Sequence, residues 1–125
     1  MPSNMTACRI LLAVHAMVAD AEILQTDCTA AYTQADMTGP PTYVRLPKAW
    51  WPPHWSGKFR DPVCKLLRAL YGHPRAGDIW GEKLEKELIR LGFKGVESWT
   101  SVFVLHTPDE AINIAFVVYV DDRVM

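Results

Sequence analysis

Apolar residues in the chain are grouped into short runs, and three of these runs have the character of β-strands. Residues 111–120 and 101–106 are rich in β-branched and aromatic side chains. Residues 107–110, Thr-Pro-Asp-Glu, suit a hairpin turn between them. A third apolar run, residues 21–26, is expected to be a strand that ends at Asp27.

A fourth segment, residues 74–91, has the period of an amphipathic helix. Its predicted core face carries Trp80, Leu84, Leu88 and Leu91. Pro74 suits the first turn of this helix and Gly92 suits its end. We expect this helix to act as a scaffold by covering the sheet that carries the acidic residues.

The remaining segments are less regular. The N-terminal apolar stretch predicts a buried helix whose core face holds Ala7, Leu11, Val14 and Val18. Residues 33–62 are rich in proline and glycine and are predicted to be mainly loop, with a short strand at residues 43–46. Residues 63–72 are expected to form a strand that enters a Tyr-Gly turn. Together these elements predict a single α+β domain in which an antiparallel sheet packs against helices.

Carboxylates stand at the ends of two predicted strands. Asp121 and Asp122 follow the apolar run 111–120, and Asp27 follows the run 21–26. If the two strands are neighbours, three carboxylates converge at one edge of the sheet, and such hard oxygen ligands suit a pair of divalent cations. A solvated acidic turn is the alternative for Asp121 and Asp122 alone, since aspartate is common in turns.

The charge distribution separates the chain into three parts. The formal net charge is −1 over 125 residues, yet residues 43–77 carry a net charge of +6, against −3 for residues 1–42 and −4 for residues 78–125. The cations of the middle part include Arg45, Lys48, Lys58, Arg60, Lys65 and Arg68. A basic middle could face a phosphate backbone, and a merely solvated charged surface is the alternative.

Three tryptophans, Trp50, Trp51 and Trp55, lie within this basic part of the chain. Aromatic rings interleaved with cations can stack on unpaired bases and follow phosphates. A Trp-Pro cluster that anchors a long loop to the domain is the other interpretation.

The cysteines and the N-terminal apolar stretch indicate the cellular compartment of the protein. Cys8, Cys28 and Cys64 are widely spaced and odd in number, which predicts reduced thiols in an intracellular protein. The apolar stretch near the N-terminus resembles a secretory signal, but His15 interrupts it. We therefore favour the cytoplasm or nucleus over secretion, and the stretch is shorter than the ~20 residues of a membrane span.

Several motifs, taken in order, resemble the reverse transcriptase of Ty1/copia-type LTR retrotransposons. They include Leu-Tyr-Gly at residues 70–72 and Tyr-Val-Asp-Asp at residues 119–122. The other matching positions are residues 25–27, 31–32, 43–47, 63–66, Trp80 and 91–93. The resemblance runs from about residue 6 to the last residue, and it implies the palm of an RNA-directed DNA polymerase with part of the fingers, in which residues 33–62 are a loop-rich insertion.

The resemblance also implies a site. Asp27, Asp121 and Asp122 would be the catalytic residues and the ligands of two Mg²⁺ ions, with Mn²⁺ as an alternative. Tyr32 would lie under the sugar of the incoming nucleotide, and Cys28 would be a further nucleotide-binding residue. Partners would be deoxynucleoside triphosphates, an RNA or DNA primer-template, and the remaining parts of a polyprotein, namely thumb, RNase H and integrase.

One run departs from the family pattern. After Leu-Tyr-Gly, such enzymes usually have Leu-Lys-Gln-Ala-Pro-Arg, whereas residues 73–78 here are His-Pro-Arg-Ala-Gly-Asp. Arg75 takes the glutamine position and is the candidate contact for a triphosphate or template phosphate. The departure also favours an alternative function, a catalytically inactive fragment that keeps the fold and binds nucleic acid weakly at most.

Overall fold

The fold was obtained as a computed structural model, and the structure describes residues 5–108 and 113–118. It has two α-helices, α1 (Met5–Met17) and α2 (Ala76–Arg90). It has five β-strands: β1 (Tyr43–Val44), β2 (Cys64–Lys65), β3 (Lys94–Val96), β4 (Trp99–His106) and β5 (Asn113–Val117). Three 3₁₀ turns occupy Tyr32–Gln34, Lys48–Trp50 and Pro53–Trp55. The predicted α+β class is confirmed, whereas its assignment as a polymerase palm with part of the fingers stays a prediction.

The larger sheet is antiparallel with the strand order β3-β4-β5. Phe103 on β4 lies opposite Gly95 on β3 and Phe116 on β5. The strands predicted at residues 101–106 and 111–120 correspond to β4 and β5, and β4 begins two residues earlier than expected. Strand β3 was not predicted, because three residues give too short an apolar pattern to recognise. Of the predicted turn between β4 and β5, residues 109 and 110 lie outside the described residues.

The smaller sheet is a hairpin of β1 and β2, in which Tyr43 pairs with Lys65 and Val44 pairs with Cys64. Backbone hydrogen bonds extend this pairing: Leu66 donates to the Thr42 carbonyl and Ala69 donates to the Ala35 carbonyl. Residues 45–63 form the long loop of the hairpin, as the prolines and glycines predicted. Both strands are shorter than the sequence pattern indicated.

The main core lies between the start of α2 and the segment before β1. Its buried members are Tyr32, Ala35, Ala69, Ala76, Ile79 and Trp80. The predicted apolar face of α2 is confirmed in part: Trp80 and Leu88 are buried and Leu84 is half-buried, but Leu91 is 60% exposed. The helix ends as expected at Gly92, whose φ of +95° suits glycine. It packs mostly on the 3₁₀ turn Tyr32–Gln34 and on β3, so the expectation that it covers the sheet is met only at the β3 edge.

Two expectations for the first 28 residues were wrong. Residues 21–28 form no strand, and Leu24 within them is 88% exposed. An extended apolar run becomes a strand only when a neighbour completes its hydrogen-bond ladder, and no described strand does so here. In α1, the only buried member of the predicted core face is Ala7, since the helix packs on β5 over a small area. Neither described helix is both long and apolar enough to cross a lipid bilayer.

Candidate functional site

Of the three carboxylates of the predicted metal site, that of Asp27 lies within the described residues. Asp27 lies at the end of the irregular stretch that follows α1, and its side chain is exposed. It forms no hydrogen bond or ion pair with any described residue. Asp121 and Asp122 lie outside the described residues, and the convergence of all three carboxylates therefore stays a prediction.

The described part of the chain holds no cluster of three or more His, Cys, Asp or Glu side chains suited to a metal ion. Asp121 and Asp122 are not among those residues. The donor set itself fits the proposed ion, because carboxylate oxygens are the ligands that Mg²⁺ takes in proteins. The exposed side chain of Asp27, which contacts no other described residue through a hydrogen bond or ion pair, agrees with this role.

Tyr32, the predicted sugar contact, is a core residue. It begins a 3₁₀ turn, is 3% exposed, and its ring packs against Tyr71 with 4.6 Å between ring centroids. Its hydroxyl is buried and has no hydrogen-bond partner among the described residues. A Cβ added at Gly77 would lie 3.7 Å from this hydroxyl, so the first turn of α2 approaches the tyrosine closely. Cys28 is an exposed free thiol next to Asp27.

Arg75 immediately precedes α2 and connects the helix to the loop before β1. Its guanidinium donates to the Thr38 carbonyl over 3.0 Å, and it lies so close to Gly39 that an added Cβ there would be 2.0 Å from Nη1. Its backbone N–H donates to His73 Nδ1 over 3.1 Å. With Nδ1 as an acceptor, the ring N–H is on Nε2, which lies 3.1 Å from Thr42 Oγ1 and donates to it. Arg75 thus has a structural contact, and a phosphate contact stays a prediction.

The six predicted nucleic-acid-binding cations fall into two groups. Arg45 pairs with Asp61 and Arg68 pairs with Asp36, both at 3.0 Å, so these two cations are partly neutralised. The structure shows no ion pair to a described acidic residue for the other four, Lys48, Lys58, Arg60 and Lys65, and all four are exposed. The unpaired cations are the better candidates for phosphate contacts.

Sequence reasoning missed one polar junction. The Gln34 carbonyl accepts hydrogen bonds from both Arg68 and Lys83, residues far apart in the chain. These contacts tie the 3₁₀ turn that carries Tyr32 to α2 and to the segment after β2. No sequence signal marks a backbone carbonyl that becomes a shared acceptor, because only the fold brings the donors to it.

Comparison with known proteins assigns the chain to a family. Residues 3–125 match the family described as "Reverse transcriptase (RNA-dependent DNA polymerase)", so the match includes Asp27 and the Tyr-Val-Asp-Asp motif. The chain belongs to the reverse transcriptase family. The resemblance inferred from the sequence motifs is thereby confirmed.

Two curated relatives of this reverse transcriptase chain come from Arabidopsis thaliana. They are the retrovirus-related Pol polyproteins from transposons RE1 and RE2, each 36% identical over 118 residues, or 94% of the chain. The chain spans only 7% and 8% of the lengths of these relatives. No solved structure matches the chain.

Proposed function

We propose that the chain is a fragment of the RNA-directed DNA polymerase of a Ty1/copia-type retrotransposon polyprotein. The observation that carries this proposal is the family match over residues 3–125, which includes all three carboxylates of the predicted site. The similarity to two transposon Pol polyproteins supports the same origin. The substrates would be deoxynucleoside triphosphates and a primer-template.

In this proposal Asp27, Asp121 and Asp122 would hold two Mg²⁺ ions. Bound metal would supply activation of the primer hydroxyl and stabilisation of the charge on the leaving pyrophosphate. The contribution of the chain is to supply the oxygen ligands and to position the substrates, which accounts for much of the rate of phosphoryl transfer. The exposed, unpaired carboxylate of Asp27 is ready for such a role without breaking a contact to any described residue.

The test is primer extension on an RNA template with Mg²⁺, comparing wild type with Asp27→Asn and Asp121→Asn. Each variant should lose at least ~100-fold in rate, because one ligand carries part of the several kcal/mol of charge stabilisation that bound metal supplies. Asp20→Asn is the matched control, since it removes an exposed carboxylate seven residues from Asp27. Asp20 has a φ of +61°, which asparagine also tolerates.

Circular dichroism should show the same folded state for all four proteins. Mn²⁺ binding, followed by the EPR signal of the free ion, should weaken in Asp27→Asn and not in Asp20→Asn. Primer extension by Asp121→Asn at the wild-type rate would refute the proposed site.

A second candidate function is a fold-retaining fragment without catalysis that binds nucleic acid weakly. It is favoured by Arg75, which takes the usual glutamine position and contacts the Thr38 carbonyl. A folded wild-type protein that binds an oligonucleotide but extends no primer would select this function over the polymerase.

A further inference from the structure

The long loop of the β1–β2 hairpin, residues 45–63, encloses a concave surface that the proposed catalytic site does not use. Its volume is about 390 Å³, and its lining includes Lys48, Trp51, Pro53, Phe59 and Arg60. Ligand pockets in proteins commonly have volumes of ~300–1,000 Å³. We call this surface the hairpin pocket.

Aromatic contacts fix the walls of the hairpin pocket. The Trp51 indole N–H donates to the Leu46 carbonyl over 2.9 Å, which orients the ring against the loop. Trp51 and Trp55 are 6.4 Å apart between ring centroids, and Trp55 and Phe59 are 5.9 Å apart with nearly perpendicular rings. The loop therefore has an internal aromatic framework, which agrees with the anchoring interpretation of the tryptophan cluster.

Two of these rings also expose part of their surface to solvent in the pocket. Phe59 remains 44% exposed and lines the pocket, as does the half-buried Trp51. Rings that are held in place by their neighbours lose little conformational entropy when a ligand stacks on them. The framework thus provides a preorganised stacking surface.

Positive charge surrounds these rings. The loop carries four cations, Arg45, Lys48, Lys58 and Arg60, against the single carboxylate of Asp61. That carboxylate forms an ion pair with Arg45 across the loop, with 3.0 Å between Arg45 Nη2 and Asp61 Oδ2. Lys48 and Arg60 therefore line the pocket with charge that no described carboxylate pairs, and the Lys48 ammonium lies 6.0 Å from the centroid of the Trp51 ring.

We infer that the hairpin pocket binds an unpaired nucleotide of a single-stranded nucleic acid, with the base on the Trp51 and Phe59 side and the flanking phosphates at Lys48 and Arg60. The inference rests on the proposed function only where it identifies the unpaired strand as the template of the polymerase. Aromatic rings beside cations are how proteins bind single strands without reading sequence, because every base has a π-face and every linkage a phosphate. The pocket is small, so it accepts a base that has left the stack and excludes a duplex.

The charge contribution is tested with Lys48→Gln/Arg60→Gln. Binding of fluorescein-labelled dT12 and rU12 is measured by anisotropy across a salt series, without metal or nucleotide. Affinity for both probes should fall at least tenfold. The slope of log affinity against log salt should fall by about 1.4, since each phosphate contact to a single strand contributes about 0.7. Both residues are exposed, so the double variant should fold normally.

The matched control is Lys86→Gln/Lys94→Gln, which removes two exposed positive charges from α2 and β3 instead of the loop. Its affinity should stay within twofold of wild type. An equal loss in the control would overturn the inference, because it would show that overall charge and not the hairpin pocket sets the affinity.

The stacking contribution is tested with Phe59→Leu, which keeps an apolar side chain but removes the ring. Affinity for dT12 should fall at least ~5-fold at unchanged salt slope, as stacking on one base is worth 1 kcal/mol or more. Wild-type affinity in Phe59→Leu, or equal affinity of the wild type for a 12-bp duplex, would refute the inference.

These outcomes are independent of polymerase activity. If wild type extends no primer but the hairpin variants lose oligonucleotide affinity as described, the proposed polymerase function is refuted and nucleotide binding at the hairpin pocket is supported. If primer extension is normal and the hairpin variants bind dT12 and rU12 like wild type, nucleotide binding at the pocket is refuted and the proposed polymerase function is supported.

Discussion

Removal of the Tyr32 hydroxyl gives the sharpest test of the packing around the first turn of α2. The hydroxyl is buried, has no partner among the described residues, and belongs to a side chain that is 3% exposed. A buried polar group without a hydrogen bond costs about 1–3 kcal/mol of stability. Tyr32→Phe removes that group and keeps the ring that packs on Tyr71 at 4.6 Å.

We therefore expect Tyr32→Phe to raise the free energy of unfolding by ~1 kcal/mol, the lower end of that range, because the hydroxyl is hydrated only in the denatured chain and its removal destabilises that state alone. Such a gain corresponds to a rise in melting temperature of about 4 °C for a domain of this size. Tyr32→Ala, by contrast, should lose ~3–5 kcal/mol through the cavity it leaves.

The assay is urea denaturation followed by tryptophan fluorescence and circular dichroism. Tyr43→Phe is the control, because Tyr43 is 56% exposed and its change should stay within about 0.5 kcal/mol. A loss of 1 kcal/mol or more in Tyr32→Phe would refute the reasoning, since it would mean that the hydroxyl is hydrogen-bonded in the folded protein. The m-value should be the same in wild type and variant if only native-state packing has changed.

Three further substitutions test the contacts that Arg75 and His73 make with the segment before β1. Gly39→Ala should lower the free energy of unfolding, measured in urea, by ~2 kcal/mol, because Gly39 has a φ of +82° and the new Cβ would displace the Arg75 guanidinium. Gly57→Ala is the control, since Gly57 has a φ of +79° and an added Cβ there would meet no atom within 4 Å, so that only the ~1 kcal/mol of backbone strain is lost. Equal losses of stability in the two variants would show that the Arg75 contact contributes nothing. Thr42→Val should lose about 1 kcal/mol by removing the hydrogen bond to His73, and an unchanged denaturation midpoint would contradict that contact.

The sequence predicted those elements whose periodicity is long or whose ends carry strong signals. Helix α2 was located to within two residues at its start and one at its end, since its apolar face and Gly92 agree. Strands β4 and β5 were recognised from their β-branched runs. The family was recognised from motifs that keep their order and spacing, which needs no knowledge of the fold.

The failures share a cause, because each depended on how a segment pairs or packs with another part of the chain. Residues 21–26 have strand-like composition but no described strand pairs with them. Strand β3 has little pattern of its own and exists because β4 supplies its hydrogen bonds. Val14 was assigned to a core face and is exposed, since periodicity predicts which residues share a face but not how much of that face is covered.

For the site, the sequence by itself determined which residue types are present and in what order: three carboxylates suited to divalent metal, a basic middle segment and a cluster of tryptophans. Tertiary structure alone decided which of these groups remain available. In the folded chain Tyr32 is buried, Arg75 donates to a backbone carbonyl, and Arg45 and Arg68 are each partly neutralised by an aspartate. Lys48 and Arg60 line the hairpin pocket and pair with no described carboxylate. The physical reason is that charge and aromatic character are properties of a residue, whereas desolvation and pairing depend on neighbours that only the folded chain brings together.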